Sequence, residues 1–149
     1  MSFEDYYNNN DPVLDLVMNY DPSKGLLTGL TALLNSGKKE EALRFARDYH
    51  KDPVNRYFTD RIEPDINDEG YRLMASGKNE LASGLLEINT QLFPESANAY
   101  DSYAESLMQL GKNEEALKYY EMAIAKDKEG VTAENSKKMI DKIKTKKGF

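Results

Sequence analysis

The chain has 149 residues, 20 of them basic against 26 acidic, with a net charge of −6 and an isoelectric point near 4.9. That length suits one domain, and the acidic balance disfavours nucleic acid and anionic membrane surfaces, which call for a basic face. Cysteine is absent, which excludes disulfides, thiolate metal sites and thiol catalysis.

Residues 1–22 carry Glu4, Asp5, Asp11, Asp15 and Asp21 and no Lys or Arg. The start lacks the basic-then-apolar run of a secretion signal, and no stretch approaches the ~20 apolar residues of a membrane span. As given, the chain therefore reads as a cytoplasmic protein. Asn8, Asn9 and Asn10 mark a polar opening, and Val13, Leu14, Leu16, Val17 and Met18 predict one short helix on the unit that follows.

Helical apolar spacing then predicts helices over 23–36 and 39–50, 65–77 and 79–92, and 97–110 and 113–126. No stretch alternates with period two for the length of a strand. Residues 51–64 form an insert whose Pro53, Tyr57, Phe58 and Ile62 predict a packed helical turn. Pro94 ends one helix and Ser96 caps the next. A last helix over 131–146, with Thr132 as its candidate cap, carries Met139, Ile140 and Ile143 on one face and Lys elsewhere. That pattern suits a cap on the open end of a stack. Residues 131–149 hold six Lys against Glu134 and Asp141, a local charge of +4, and the Lys spread around the helix reads as a solvated surface.

Three segments repeat. Leu34 to Leu43, Met74 to Ser83 and Met108 to Leu117 each read apolar, then Gly-Lys, then polar, then Ala. Gly77 to Gly111 and Ala82 to Ala116 are both 34 residues apart, whereas Gly37 to Gly77 is 40, so six residues are inserted after the first unit. One helix ends at the Gly, which enters the left-handed region without steric cost. The next begins with acids that favour its positive end, and the Ala marks a close helix crossing.

These units resemble tetratricopeptide repeats over about residues 23–128. The third carries Tyr100, Ala104, Leu107, Gly111, Ala116, Tyr120 and Ala123 where that family places such residues. The second matches at Gly70, Leu73, Gly77, Ala82, Leu86 and Pro94, with Asn89 replacing a small apolar residue. The first matches at Leu33, Gly37 and Ala42 but has Leu30 where a small residue is usual. The resemblance implies an all-α fold, an α-α superhelix of about three helix-turn-helix units with a C-terminal capping helix. It implies a non-catalytic scaffold that holds a peptide or protein in its concave groove. A narrower stretch, Phe93 to Ser102, resembles the repeat tails of secreted bacterial serine hydrolases and esterases. On that reading the chain is an exported accessory domain whose catalytic part lies elsewhere. A homodimer through the end helices is a third reading.

No constellation points to catalysis, a cofactor or a metal. His50 is the single histidine, near a helix end where imidazole can bond a free carbonyl, and one His without Cys does not make a zinc site. Glu40 and Glu41, Asp65, Asp68 and Glu69, and Glu114 and Glu115 fall at helix starts, where acids stabilise the dipole. Gly25 and Gly29 are not followed by a phosphate-loop Lys-Ser or Lys-Thr. Tyr100, Tyr103 and Tyr120 fall at core positions, which favours packing over base stacking.

The register of the resemblance places a concave face on the first helix of each unit. It comprises Lys24, Leu27, Thr31, Leu34 and Asn35; Asn67, Tyr71, Met74 and Ala75; and Asn98, Asp101, Glu105, Met108 and Gln109. The groove residues proposed for a partner are Asn67, Tyr71, Met74, Asn98, Asp101, Glu105, Met108 and Gln109. Leu27, Thr31, Asp68 and Ser102 stand where relatives that grip acidic C-termini carry cations, which argues against that partner. Asp101 and Glu105, four apart on one helix, repel mildly. Three accounts fit them: solvation, pairing with Lys24, Arg56 or Arg61, or recognition of a basic or hydroxyl-rich group on a partner.

Overall fold

The three Gly-Lys turns are built alike. Gly37, Gly77 and Gly111 have φ of 72°, 74° and 75°, a region that costs other residues about 1–2 kcal/mol. At the second turn, the Gly77 amide donates to the Met74 carbonyl and the Lys78 amide to the Leu73 carbonyl, both at 2.9 Å; the first and third turns repeat both bonds. The Lys carbonyls then accept from Ala42, Ala82 and Ala116. One dipeptide thus stops a helix and starts the next.

The computed structural model describes residues 22–53, 55 and 59–146, and these form seven helices with no strand among them. In chain order they are α1 (Pro22–Asn35), α2 (Lys39–Lys51), α3 (Thr59–Ala75), α4 (Asn79–Leu92), α5 (Ala97–Gln109), α6 (Asn113–Lys126) and α7 (Val131–Lys146). Neighbours pack in series, as in an all-α repeat superhelix. Among the described residues no helix is long and apolar enough to cross a membrane. The short helix expected within residues 1–22 lies outside the described residues, as do Tyr57 and Phe58 of the insert.

Two cores run through the stack. The first gathers Leu26, Leu30, Ala42, Ala46, Ile62, Ile66, Leu73, Ala82, Leu85 and Ile88. The second gathers Leu86, Tyr103, Ala104, Leu107, Ala116, Tyr120, Ile140 and Ile143, and Met74 packs against both. The repeated Ala42, Ala82 and Ala116 are fully buried. Gly70 lets α3 approach α4, since a Cβ there would stand 2.6 Å from Leu86 Cγ. In the first unit this role moves one residue earlier. Phe45 covers Gly29, leaving no room for a Cβ, while Leu30 is buried in the core.

The second half of the insert is not a separate turn. Thr59 to Pro64 extend α3 by six residues beyond the expected start at 65, with Pro64 inside the helix. Proline there removes one amide donor, but Pro64 faces solvent while Ile62 and Ile66 are buried on the core face. The buried Asn89 amide donates to the Glu63 carbonyl at 3.1 Å, which gives a polar residue a place at a core position. Ser96 caps α5 as expected, accepting from the Ala99 amide at 3.1 Å. Thr132 does not cap α7: the helix begins at Val131, and the Gly130 carbonyl accepts from the Glu134 amide.

Docking follows one rule from the second unit onward. Helix α4 packs on α5 and α6 on α7, while α3 meets α5 and α5 meets α7. The faces that make these joints are related by the 34-residue period. Ala99, Ser102 and Ser106 are buried on α5, and Ala133, Ser136 and Ile140 are buried on α7. The positions of α7 that match Tyr103, Ala104 and Leu107 are Lys137, Lys138 and Asp141, all exposed. Helix α7 thus keeps the face that meets the preceding unit and is charged where a following helix would pack, which makes it a cap.

The first unit docks differently. On α3 the matching positions are Asp65, half-buried, and Arg72 and Asp68, both exposed. Charged groups resist burial, and α2 makes no substantial joint with α3. Helices α1 and α2 both pack on α4 instead, and α1 also touches α3.

Candidate functional site

The face expected to be concave is tied across units by polar bonds between residues about one repeat apart. Near its start, Glu63 Oε1 accepts from Ser96 Oγ at 3.1 Å and from Asn98 Nδ2 at 3.0 Å. Further along, the Tyr71 hydroxyl donates to Glu105 Oε2 at 2.9 Å and lies 3.3 Å from Ser102 Oγ. Asn67, one repeat before Asp101 in sequence, stands on α3 between Glu63 and Tyr71. It is buried, and its Oδ1 has no hydrogen-bond partner.

Asp101 departs from the open groove position expected of it. Its side chain is buried under α7, where Oδ2 accepts from Asn135 Nδ2 at 2.7 Å and Oδ1 from Ser136 Oγ. The partner residues are 34 and 35 positions on, so the carboxylate ties the third unit to the cap. Of the three accounts read from sequence, solvation does not hold for Asp101. Arg61 instead lies 3.8 Å from Asp65, and the side chains of Lys24 and Arg56 lie outside the described residues. Burial pushes the Asp101 carboxyl above its ordinary value, and the bonds from Ser136 and Asn135 partly oppose this.

The sign of the resulting pH dependence follows. Between the raised native pKa and the ordinary unfolded one, the native state binds more protons, so stability rises as pH falls through that window. Asp101→Asn keeps an acceptor for Ser136 and removes the buried charge. The stability of wild type relative to Asp101→Asn is expected to improve as pH is lowered from neutrality toward the ordinary carboxylate range. Urea melts at stepped pH measure this, and a pH-independent difference contradicts it.

The other inner-face positions are less uniform. Met74 and Met108 are half-buried against the cores, Gln109 is exposed, and Tyr71 is 37% exposed at the rim. Leu27 and Leu34 pack against the first core. Tyr120 is fully buried and its hydroxyl has no partner. Burial, followed by the charges of Asp101 and Glu105 and by Tyr71, raises its pKa, so it remains a protonated donor.

A second feature went unread in the sequence. Where the first unit docks on α4, it stands apart from the third and leaves a trough of about 860 Å³. Leu34 and Lys39 line one side, Tyr103, Leu110 and Lys112 the other, and Leu81, Ser83, Gly84 and Glu87 the floor. Leu34 reaches the floor because residue 84 is glycine; an added Cβ would lie 3.3 Å from Leu34 Cδ2. Lys39 pairs with Glu87 at 2.6 Å, and burial, then the Glu87 charge, pushes the Tyr103 phenol above its ordinary pKa. Beyond Glu87 a further hollow of about 390 Å³ is lined by Arg47, Pro94, Tyr100, Tyr119 and Met122 among others. Tyr103 and Tyr119 meet edge to face at 4.6 Å, and Lys126 Nζ lies 4.9 Å from the Tyr100 ring centroid. The signal for this trough lay in the charged outer face of α3, which turns the first unit onto α4.

His50 stacks edge-on against Phe93 at 5.1 Å, and its buried Nδ1 has no hydrogen-bond partner. Among the described residues no group of three or more His, Asp or Glu is placed to hold a metal. No family model and no curated protein matches this chain.

Proposed function

We propose that the chain is a non-catalytic protein-binding module of the tetratricopeptide kind, and that the segment it holds lies in the trough over α4. The observation that carries this reading is the trough itself, lined by side chains from all three units. With the adjoining hollow it runs along α4, Asn79–Leu92, about 21 Å at ~1.5 Å per residue. That accommodates about six residues of extended peptide at ~3.3 Å each. Leucines at one end and tyrosines with Met122 at the other provide apolar seats, while Lys78, Lys112 and Arg47 stand at the rims. Rigid aromatics and an adaptable methionine suit a peptide-binding surface.

Selection from a displayed octapeptide library tests the reading. Enriched peptides are expected to lose about tenfold or more in affinity, roughly 1.4 kcal/mol, on Met122→Glu combined with Lys112→Glu. Both positions are exposed, so the melting temperature should hold. Failure to enrich any peptide, or affinity indifferent to these substitutions, defeats the proposal.

A further inference from the structure

At the start of α4 the trough is lined by donors that no described residue engages. The Gly77 and Lys78 amides close the turn, and the Ala82 amide returns to the Lys78 carbonyl. The amides of Asn79, Glu80 and Leu81 between them have no carbonyl of a preceding turn to bond. No side chain of Lys78 caps the helix, and all three residues line the trough. Lys78 and Lys112 line the same end, and neither pairs with an acid among the described residues. Lys39 is already matched by Glu87. With Arg47 of the adjoining hollow, three unpaired cations face one unpaired carboxylate, Glu80, among the described lining residues. The chain as a whole carries −6, so the trough opposes the prevailing charge. One turn along, Ser83 lies on the floor, 7% exposed, and its hydroxyl bonds none of the described residues. Buried hydroxyls ordinarily have partners. The Ser83 oxygen is not sealed, and the exposure it keeps opens on the trough.

We propose that the trough selects an acidic segment of its partner: an aspartate or glutamate side chain sits over the start of α4, and the main chain beside it meets Ser83. This rests on the trough being the peptide site and adds the chemistry of its occupant. A carboxylate accepts from backbone amides at a helix start, where the dipole also favours negative charge. Lys78 and Lys112 supply the counter-charge. The Ser83 hydroxyl both donates and accepts, which suits a peptide group. Four residues of helix separate Asn79 from Ser83, about 6 Å, and about two residues of extended peptide cover that distance. A phosphate fits less well, because its second charge adds repulsion from Glu80 and no Arg lines this end to clasp it. None of these groups lies at the positions expected to line the concave face.

Titration of the ¹⁵N-labelled full chain with end-capped hexapeptide mixtures tests the inference. The mixtures carry Glu, Gln, Lys or phosphoserine at one fixed position and neutral residues elsewhere. At low ionic strength the Glu mixture is expected to bind about tenfold tighter than the Gln mixture and to shift the amides of Asn79, Glu80 and Leu81. The Lys mixture should bind most weakly, and added salt should narrow the gap between Glu and Gln. Lys78→Gln with Lys112→Gln is expected to bring the Glu and Gln mixtures to equal affinity. Both lysines are exposed, so the melting temperature should hold. Ser83→Ala should weaken the Glu and Gln mixtures alike, since it removes a main-chain contact. Equal binding of Glu and Gln by the wild type overturns the acidic preference and leaves the trough reading standing, whereas no binding by any mixture defeats both. A Glu preference that survives the double lysine substitution, shifts that spare the three α4 amides, or tighter binding of the phosphoserine mixture also overturns the proposal.

Discussion

Removing α7 by truncation after Gly130 is expected to cost on the order of 5 kcal/mol, a large share of the roughly 5–15 kcal/mol that holds a domain folded. Ile140 and Ile143 are 8% and 2% exposed in the second core, each worth about 1.5–3 kcal/mol of burial. The same cut strips Ser136 and Asn135 from Asp101, leaving a carboxylate whose ties to the cap are gone. It also bares the side of α5 and α6 on which α7 packs, an apolar patch that favours association. Urea denaturation and light scattering measure both effects. A truncated chain with the full-length midpoint and no increase in size would reduce α7 to an appendage.

Two Gly→Ala changes of identical chemistry should act in opposite directions. Gly25, in α1, has nothing within 4 Å of an added Cβ, so Gly25→Ala is expected to stabilise by about 0.5 kcal/mol through helix propensity. Gly70, in α3, would place its Cβ 2.6 Å from both Cγ and Cδ2 of Leu86, a fully buried side chain. Cγ cannot swing aside as a side-chain tip can, so α3 and α4 must move apart. Overpacking of this kind costs about 1–3 kcal/mol, and the propensity gain offsets only part of it. Gly70→Ala should therefore lower the urea midpoint while Gly25→Ala raises it. A rise in both would place Gly70 away from the crossing.

Much of the helical frame is legible from local rules. Each of Gly37, Gly77 and Gly111 sits where a left-handed residue must end a helix, and that requirement depends on no distant contact. The capping character of α7 also shows in the sequence, through Ile140 and Ile143 on one face and Lys137 and Lys138 on another. The start of α3 was misplaced because Pro64 reads locally as a boundary, whereas burial of Ile62 and Ile66 on either side carries the helix through it.

The candidate sites were less legible. Asp101 reads as a surface acid from its neighbours in sequence. Its burial becomes visible only when the 34-residue period is applied to polar residues too, which aligns it with Asn135 and Ser136 as it aligns Tyr71 with Glu105.

By itself, then, the sequence determined the all-helical class, the places where helices stop and the repeating small residues, because these depend on backbone conformation and apolar spacing within a few turns. Only the tertiary structure decided how the first unit docks, where the trough lies and which acids are buried. Asp65, Asp68 and Arg72 deny α2 the face that Ala99, Ser102 and Ser106 offer to the preceding unit, and so the first hairpin turns onto α4. Burying apolar area there while leaving the charges of Asp68 and Arg72 accessible to water is the lower free-energy choice, and the gap it leaves beside the third unit is the trough.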